Sequence, residues 1–230
     1  MIDLEQFEKS ASLHFKDKNL LKQAFTHRSY INEHKKMKFG HNERLEFLGD
    51  AVLELVTTEY LYAKFPDATE GDLTSYRSAL VNANTLSEVG EKLNMGNYLL
   101  LSKGESKDSG RARQYIIANT YEALVGAIFL DQGYEAAARF IADSIFPLTD
   151  NIVSQKLWLD AKSFFQERAQ EEAGETPSYR TMYEVGPDHD KYFTVGVFLD
   201  DKMIAEGEGK SKQEAEQSAA RNGLEKKGWL

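Results

Sequence analysis

The sequence predicts a mainly helical domain followed by a small α+β domain of order α-β-β-β-α. Three observations predict it. From Leu20 to about Pro147 apolar residues recur every three or four positions, as in Leu45 to Phe65 and Asn119 to Gly133, which is the helical period. Past Ser178 short runs alternate with a period of two, which is the period of a pleated strand. Between the two textures, residues 149–157 read as a linker. The expected division is therefore 1–148, 149–157 and 158–228.

Each element has a local reason. Pro66 stops the first long helix, and Gly133 suits the end of the second. Ser102 to Gln114 is polar, charged and glycine-bearing, and reads as a loop. Asp160 to Gly174 is helical and closed by its glycine. Strands start at Tyr179, Lys191 and Lys202, and the second places Phe193, Val195, Val197 and Leu199 on one side of the pleat. Asp200 and Asp201 make the turn into the third strand. The final helix starts near Ser211, with Ala215, Ala219 and Ala220 small enough for close packing on a sheet. No internal repeat or low-complexity tract is present.

At 230 residues the chain can build one large core or two modest ones. The absence of cysteine excludes disulfides, thiolate zinc sites and cysteine nucleophiles, and fits a reducing compartment. The opening MIDLEQFEKS has neither a basic nor an apolar run, so no signal peptide is expected. No stretch reaches the roughly 20 apolar residues needed to cross a bilayer. A soluble, cytoplasmic protein with no membrane partner is the expectation. The net charge of −9 does not exclude a nucleic-acid partner, because the field that matters is local.

The densest chemistry lies in NERLEFLGD, Asn42 to Asp50. On a helix Glu43, Glu46 and Asp50 fall at i, i+3 and i+7, so their carboxylates share a face. Three acids on a helix are most often a solvated face. Here Leu45, Phe47, Leu48, Val52 and Leu53 surround them, and carboxylates drawn toward an apolar interior need partners or a cation. Asn119 and Glu122, at i and i+3 in a second apolar helix, can face them across an ion. No Glu-x-x-His pair supports a di-iron site, and His14, His27, His34, His41 and His189 show no ligand spacing. Oxygen donors favour Mg²⁺, with Mn²⁺ able to substitute. No nucleophile elbow, P-loop or dinucleotide fingerprint occurs, so no organic cofactor is expected. Metal-assisted hydrolysis of a phosphodiester is the chemistry such a site suits.

NERLEFLGDAVL, Asn42 to Leu53, resembles the signature of ribonuclease III. FTHRSY from Phe25, the stretch from Phe65 to Leu86, and IIANTYEALVGAIFLD from Ile116 resemble further segments of that family's nuclease domain. The α-β-β-β-α tail resembles its double-stranded RNA-binding domain. The resemblance implies an all-α endonuclease domain joined to that module, cutting duplex RNA with a divalent metal to leave 5′-phosphate and 3′-hydroxyl ends. It implies metal ligation by Glu46, Asn119, Glu122 and Asp50, with Asp50 and Glu122 tied most closely to catalysis and Glu43 and Glu70 as auxiliary acids. It implies that Phe47 plugs into a partner subunit, hence a homodimer. One position departs from the pattern: the family usually has aspartate where this chain has Asn119. An amide oxygen still ligates a hard cation but brings no charge, so metal affinity should fall.

The tail from Asp160 to Leu230 holds 10 Lys+Arg against 15 Asp+Glu, a net of −5, so its positive charges must act by placement. Lys210, Ser211 and Lys212 open the final helix, where backbone N–H groups also favour phosphate. Ser163, Gln166 and Glu167 can exchange hydrogen bonds with 2′-hydroxyls, and the loop of Gly186, Pro187, Asp188 and His189 can enter a second minor groove. Lysines at a helix start are usually just solvated, but these three clusters match the family's RNA contacts position by position. Two readings follow: an endoribonuclease acting on structured RNA such as ribosomal and messenger precursors, or a duplex-RNA-binding protein silenced by Asn119.

Overall fold

The computed structural model describes residues 2–34, 39–107, 110–156, 158–187 and 191–229, and divides the chain into two compact units, Met1–Trp158 and Leu159–Leu230. The first unit is built from helices α1 (Leu4–Ser10), α2 (Lys18–Ala24), α3 (Arg28–Glu33), α4 (Glu43–Lys64), α5 (Glu70–Val81), α6 (Ala83–Lys92), α7 (Arg111–Gln132), α8 (Tyr134–Ser144) and α9 (Thr149–Ser154). Short 3₁₀ turns at Met95–Tyr98, Glu105–Lys107 and Phe146–Leu148 join some of them.

Helix α7 lies at the centre. Its residues from Ile116 to Ile128 are buried almost all round, the pattern of a helix packed on every side. Around it gather Phe7, Phe25, Leu53, Leu61, Leu86 and Ile141, which form one continuous core. Helix α4 packs directly on α7, and a glycine on each makes this possible. A Cβ on Gly49 would stand 1.8 Å from the carbonyl oxygen of Glu122, and one on Gly126 would stand 2.2 Å from that of Leu45. The two backbones therefore touch without side chains between them.

The ends of the helices have identifiable causes. Asn42 is buried at the start of α4, where its side-chain amide donates to the carbonyl of Ala24 and its backbone N–H to that of Thr26. Thr69 and Asp72 cap α5 reciprocally. Gly110 and Gly133 flank α7 with φ of 80° and 86°, a region that favours glycine.

The linker reading of residues 149–157 is corrected by this architecture. Thr149–Ser154 is helical, with Thr149 and Ile152 buried, and Asp150 pairs with Lys64 at 2.7 Å. Trp158 meets the ring of Tyr76 edge-on, so the first unit runs to that residue. Apolar Ile152 and Trp158 find cover beside α5, which a polar linker would not need. The loop expected at 102–114 is also shorter, because α7 already begins at Arg111.

The second unit comprises α10 (Ala161–Ala173), β1 (Ser178–Val185), β2 (Tyr192–Leu199), β3 (Lys202–Gly209) and α11 (Lys212–Lys227). The strands form an antiparallel sheet of order β1-β2-β3. Val195, Val197 and Leu199 are buried as alternation requires. Phe198 is buried as well, because the guanidinium of Arg180 lies over its ring at 4.6 Å. The helices close on Phe165, Ala169, Ala219, Ala220 and Leu224. Gly207 lets β3 approach α11 so closely that a Cβ would stand 2.0 Å from the Ala219 nitrogen. At Gly223 an added Cβ would stand 2.7 Å from the Phe165 ring, so this glycine fits a tight contact between α11 and α10.

Candidate active site and nucleic-acid interface

The crossing of α4 and α7 brings the acids of one helix against those of the other. Glu46 sits one turn before Gly49 and Asp50 directly after it, while Glu122 lies one turn before Gly126. Glu46, Asn119 and Glu122 are half-buried and Asp50 is exposed. The carboxyl of Glu122 is pushed up to about 8, first by burial, then by the charges of Asp50 and Glu46. Burial also raises Glu46, with Glu43 and Asp50 adding to the effect, while a side-chain hydrogen bond from Asn119 opposes it. Coupling of this kind requires the three carboxyl groups and the Asn119 amide to share one small region.

The remaining acids stand differently. Glu43 faces Arg28 at 3.3 Å and the His41 ring at 3.7 Å, so two basic groups converge on it. Glu70 opens α5, accepts from the Thr74 hydroxyl at 3.2 Å, and lines a cavity of about 450 Å³ with Thr58, Tyr62 and Arg77. The structure thus joins Glu46, Asp50, Asn119 and Glu122, with Glu43 at the edge, and sets Glu70 at the head of α5.

The donor set is hard oxygen throughout, which suits a hard divalent cation and not a soft or nitrogen-seeking metal. Among the described residues no three His, Cys, Asp or Glu side chains already stand as a group able to hold an ion. The fourth donor here is an amide, Asn119, which such a count leaves out. Burial first, and then neighbouring carboxylates, disfavour the charged forms of Glu46 and Glu122, and a divalent ion would favour those charged forms.

Phe47, on the same helix, is 82% exposed and stands with Leu20, Leu45, Leu48 and Leu130 around a cavity of about 640 Å³. Leu130 is itself 54% exposed. A phenylalanine held on the outside of a long, well-packed helix leaves its apolar surface without cover inside its own subunit.

In the second unit Ser163, Gln166 and Glu167 are exposed on α10. Gly186, with φ of 103°, and Pro187 begin the loop after β1, while Asp188 and His189 lie outside the described residues. Ser211 caps α11, accepting the Glu214 backbone N–H at 3.2 Å, and Glu214 accepts from the Lys210 backbone N–H at 2.9 Å. Lys210 is exposed. Lys212 is engaged by an acid, Glu184, at 3.0 Å. Sequence reasoning missed Arg28 and Glu184, since neither belongs to a local spacing pattern.

A helical unit with a cluster of opposed oxygen ligands, followed by an α-β-β-β-α unit with lysines at its last helix, defines a nuclease that carries a duplex-RNA-binding module. A family model described as ribonuclease-III-like matches residues 17–148, and one described as a double-stranded RNA binding motif matches residues 161–227. Ribonuclease 3 of Enterococcus faecalis is 46% identical over 211 residues, covering 91% of each chain. That of Oceanobacillus iheyensis is 43% identical over 225 residues, covering 97% of this chain and 98% of its own. The nuclease domain of the Campylobacter jejuni enzyme superposes with a TM-score of 0.56 at 43% identity, covering 63% of this chain and 99% of that one. The chain belongs to the ribonuclease III family, and it is an endoribonuclease of double-stranded RNA with a divalent-metal requirement. The alternative of a silenced RNA-binding protein is not favoured.

Proposed function

We propose that Glu46, Asp50, Asn119 and Glu122 hold Mg²⁺, with Mn²⁺ able to replace it, and that this site hydrolyses the phosphodiester backbone of duplex RNA. The observation that carries the reading is the Glu122 carboxyl, raised to about 8 by burial and by Asp50 and Glu46 across the α4–α7 crossing. When bound, the cation supplies a polarised phosphoryl oxygen and a more acidic water. The chain's own groups do the rest. Asp50 and Glu122 orient the attacking water and one of the two carboxylates accepts its proton, and Asn119 keeps the Glu46 carboxylate turned into the site through its hydrogen bond. Glu43, steadied by Arg28, and Glu70 at the head of α5 are auxiliary acids toward water and RNA. Water adds to phosphorus as the bond to the 3′-oxygen breaks, and the departing 3′-oxyanion takes a proton from solvent, leaving a 3′-hydroxyl on one fragment and a 5′-phosphate on the other.

Phe47 and Leu130 support a homodimer in which each subunit cuts one strand, since their exposed apolar area needs a partner surface. Ser163, Gln166 and Glu167, the Gly186–Pro187 loop with His189, and Lys210, Ser211 and Lys212 are the RNA contacts of this reading. The setting is cytoplasmic processing of ribosomal and messenger RNA; among the described residues no helix is long and apolar enough to cross a membrane. The test is Glu122→Gln on a perfect RNA duplex with Mg²⁺. Cleavage is expected to fall at least about 100-fold, as for loss of a positioned acid–base group, while duplex binding measured in EDTA stays intact. Cleavage by this variant at the wild-type rate refutes the assignment.

A further inference from the structure

Glu184, next to the last residue of β1, faces two lysines. Its carboxylate lies 3.0 Å from Lys212 Nζ and 3.7 Å from Lys191 Nζ. Register explains the meeting. Glu184 pairs with Phe193 on β2, and Phe193 pairs with Gly209 on β3, so the three form one row across the sheet. Gly209 lets the start of α11 press onto this row, where a Cβ would stand 2.6 Å from the Ala215 nitrogen. Lys212, one residue past the Ser211 cap, is thereby delivered over the Phe193 ring at 5.7 Å with its ammonium against Glu184. Lys212 in turn holds the Glu184 carboxyl below its ordinary range.

We propose that Glu184 is a built-in competitor for the RNA phosphate at Lys212, and so limits both the affinity and the salt dependence of duplex binding. This rests on the reading of Lys212 as a phosphate contact. A phosphate that approaches the ammonium meets a carboxylate already in place and must either displace it or share the cation with it. Displacement leaves Glu184 with Lys191 as its one remaining cationic neighbour of the two, so its charge draws counterions back and fewer ions are released overall than a free lysine would yield. The arrangement suits a module whose net charge is already −5: binding stays dependent on duplex shape and does not extend to any polyanion.

The test uses the full chain in EDTA, to prevent cleavage, and a perfect RNA duplex longer than the roughly 16 base pairs such a domain spans. Binding is followed by fluorescence anisotropy across a salt series for Glu184→Gln, Lys212→Ala and the double variant. Glu184→Gln is expected to bind roughly two- to fivefold more tightly, the scale of an exposed ion pair. Its slope of log K against log salt should steepen by up to about one. Lys212→Ala should weaken binding, and Glu184→Gln should add nothing on that background. If Lys212→Ala weakens binding while Glu184→Gln leaves it unchanged or weaker, the competitor role is overturned and the phosphate contact stands. If Glu184→Gln tightens binding equally without Lys212, its effect is general charge and the proposal is overturned. Wild-type binding by Lys212→Ala overturns the phosphate contact and the proposal with it.

Discussion

Replacing Gly49 with alanine tests whether the backbone-to-backbone crossing of α4 and α7 sets the catalytic geometry. The new Cβ would stand 1.8 Å from the Glu122 carbonyl oxygen, 2.7 Å from its carbonyl carbon and 2.8 Å from the Gly126 nitrogen. All three are rigid backbone atoms, so no side chain can turn aside. Real Cβ contacts stay above 3.0 Å, so the helices must part locally by about 1.2 Å in a core that packs at crystal-like density. Overpacking of this kind costs about 1–3 kcal/mol, against roughly 1 kcal/mol gained from the better helix propensity of alanine. The net loss of stability is then about 0–2 kcal/mol, small enough for the protein to remain folded. The site should suffer more, because a displacement near 1 Å among reacting groups costs on the order of 100-fold in rate. Urea unfolding and cleavage of a perfect duplex, measured on the same preparation, separate the two effects. Gly71→Ala is the control, since its Cβ meets only the Thr69 hydroxyl at 3.8 Å. Cleavage by Gly49→Ala within twofold of wild type would falsify the claim that this crossing fixes the acids.

Two further outcomes follow from the same cluster. Asn119→Asp adds a negative charge beside Glu46 and removes a hydrogen-bond donor to it, so half-maximal cleavage should come at a lower Mg²⁺ concentration; an unchanged Mg²⁺ titration refutes this. Without metal, Glu122 holds its proton more tightly folded than unfolded, so the native state binds more protons between pH 4.5 and about 8. Stability in EDTA should therefore fall as pH rises through that window, and Glu122→Gln should flatten the fall. Identical pH profiles for the two proteins in urea unfolding would show that Glu122 is not the group responsible.

Much of this protein could be read from residue order. The spacing of Glu43, Glu46 and Asp50, amid Leu45, Leu48, Val52 and Leu53, requires one helix with acids on one face and apolar residues on another. The alternation of Val195, Val197 and Leu199 fixes which side of β2 faces its helices. Helical and strand periods are local, so a linear chain displays them. The linker reading failed at Thr149–Ser154 because six residues are too few to show a helical period; only the cover offered to Ile152 decides their state.

What tertiary structure alone decided are the meetings between distant segments. That Gly49 and Gly126 are the points where two backbones touch depends on the crossing of helices 77 positions apart in the chain. Without that contact the acids of α4 and α7 would be two separate patterns, and nothing would raise Glu122. The pairing of Glu184 with Lys212 depends likewise on sheet register and on the approach of α11 over Gly209. Sequence determined which residues carry charge and which face of each element they occupy, because those follow from local geometry. Packing determined which charges confront one another, because Coulomb energy depends on distance in space and not on separation along the chain.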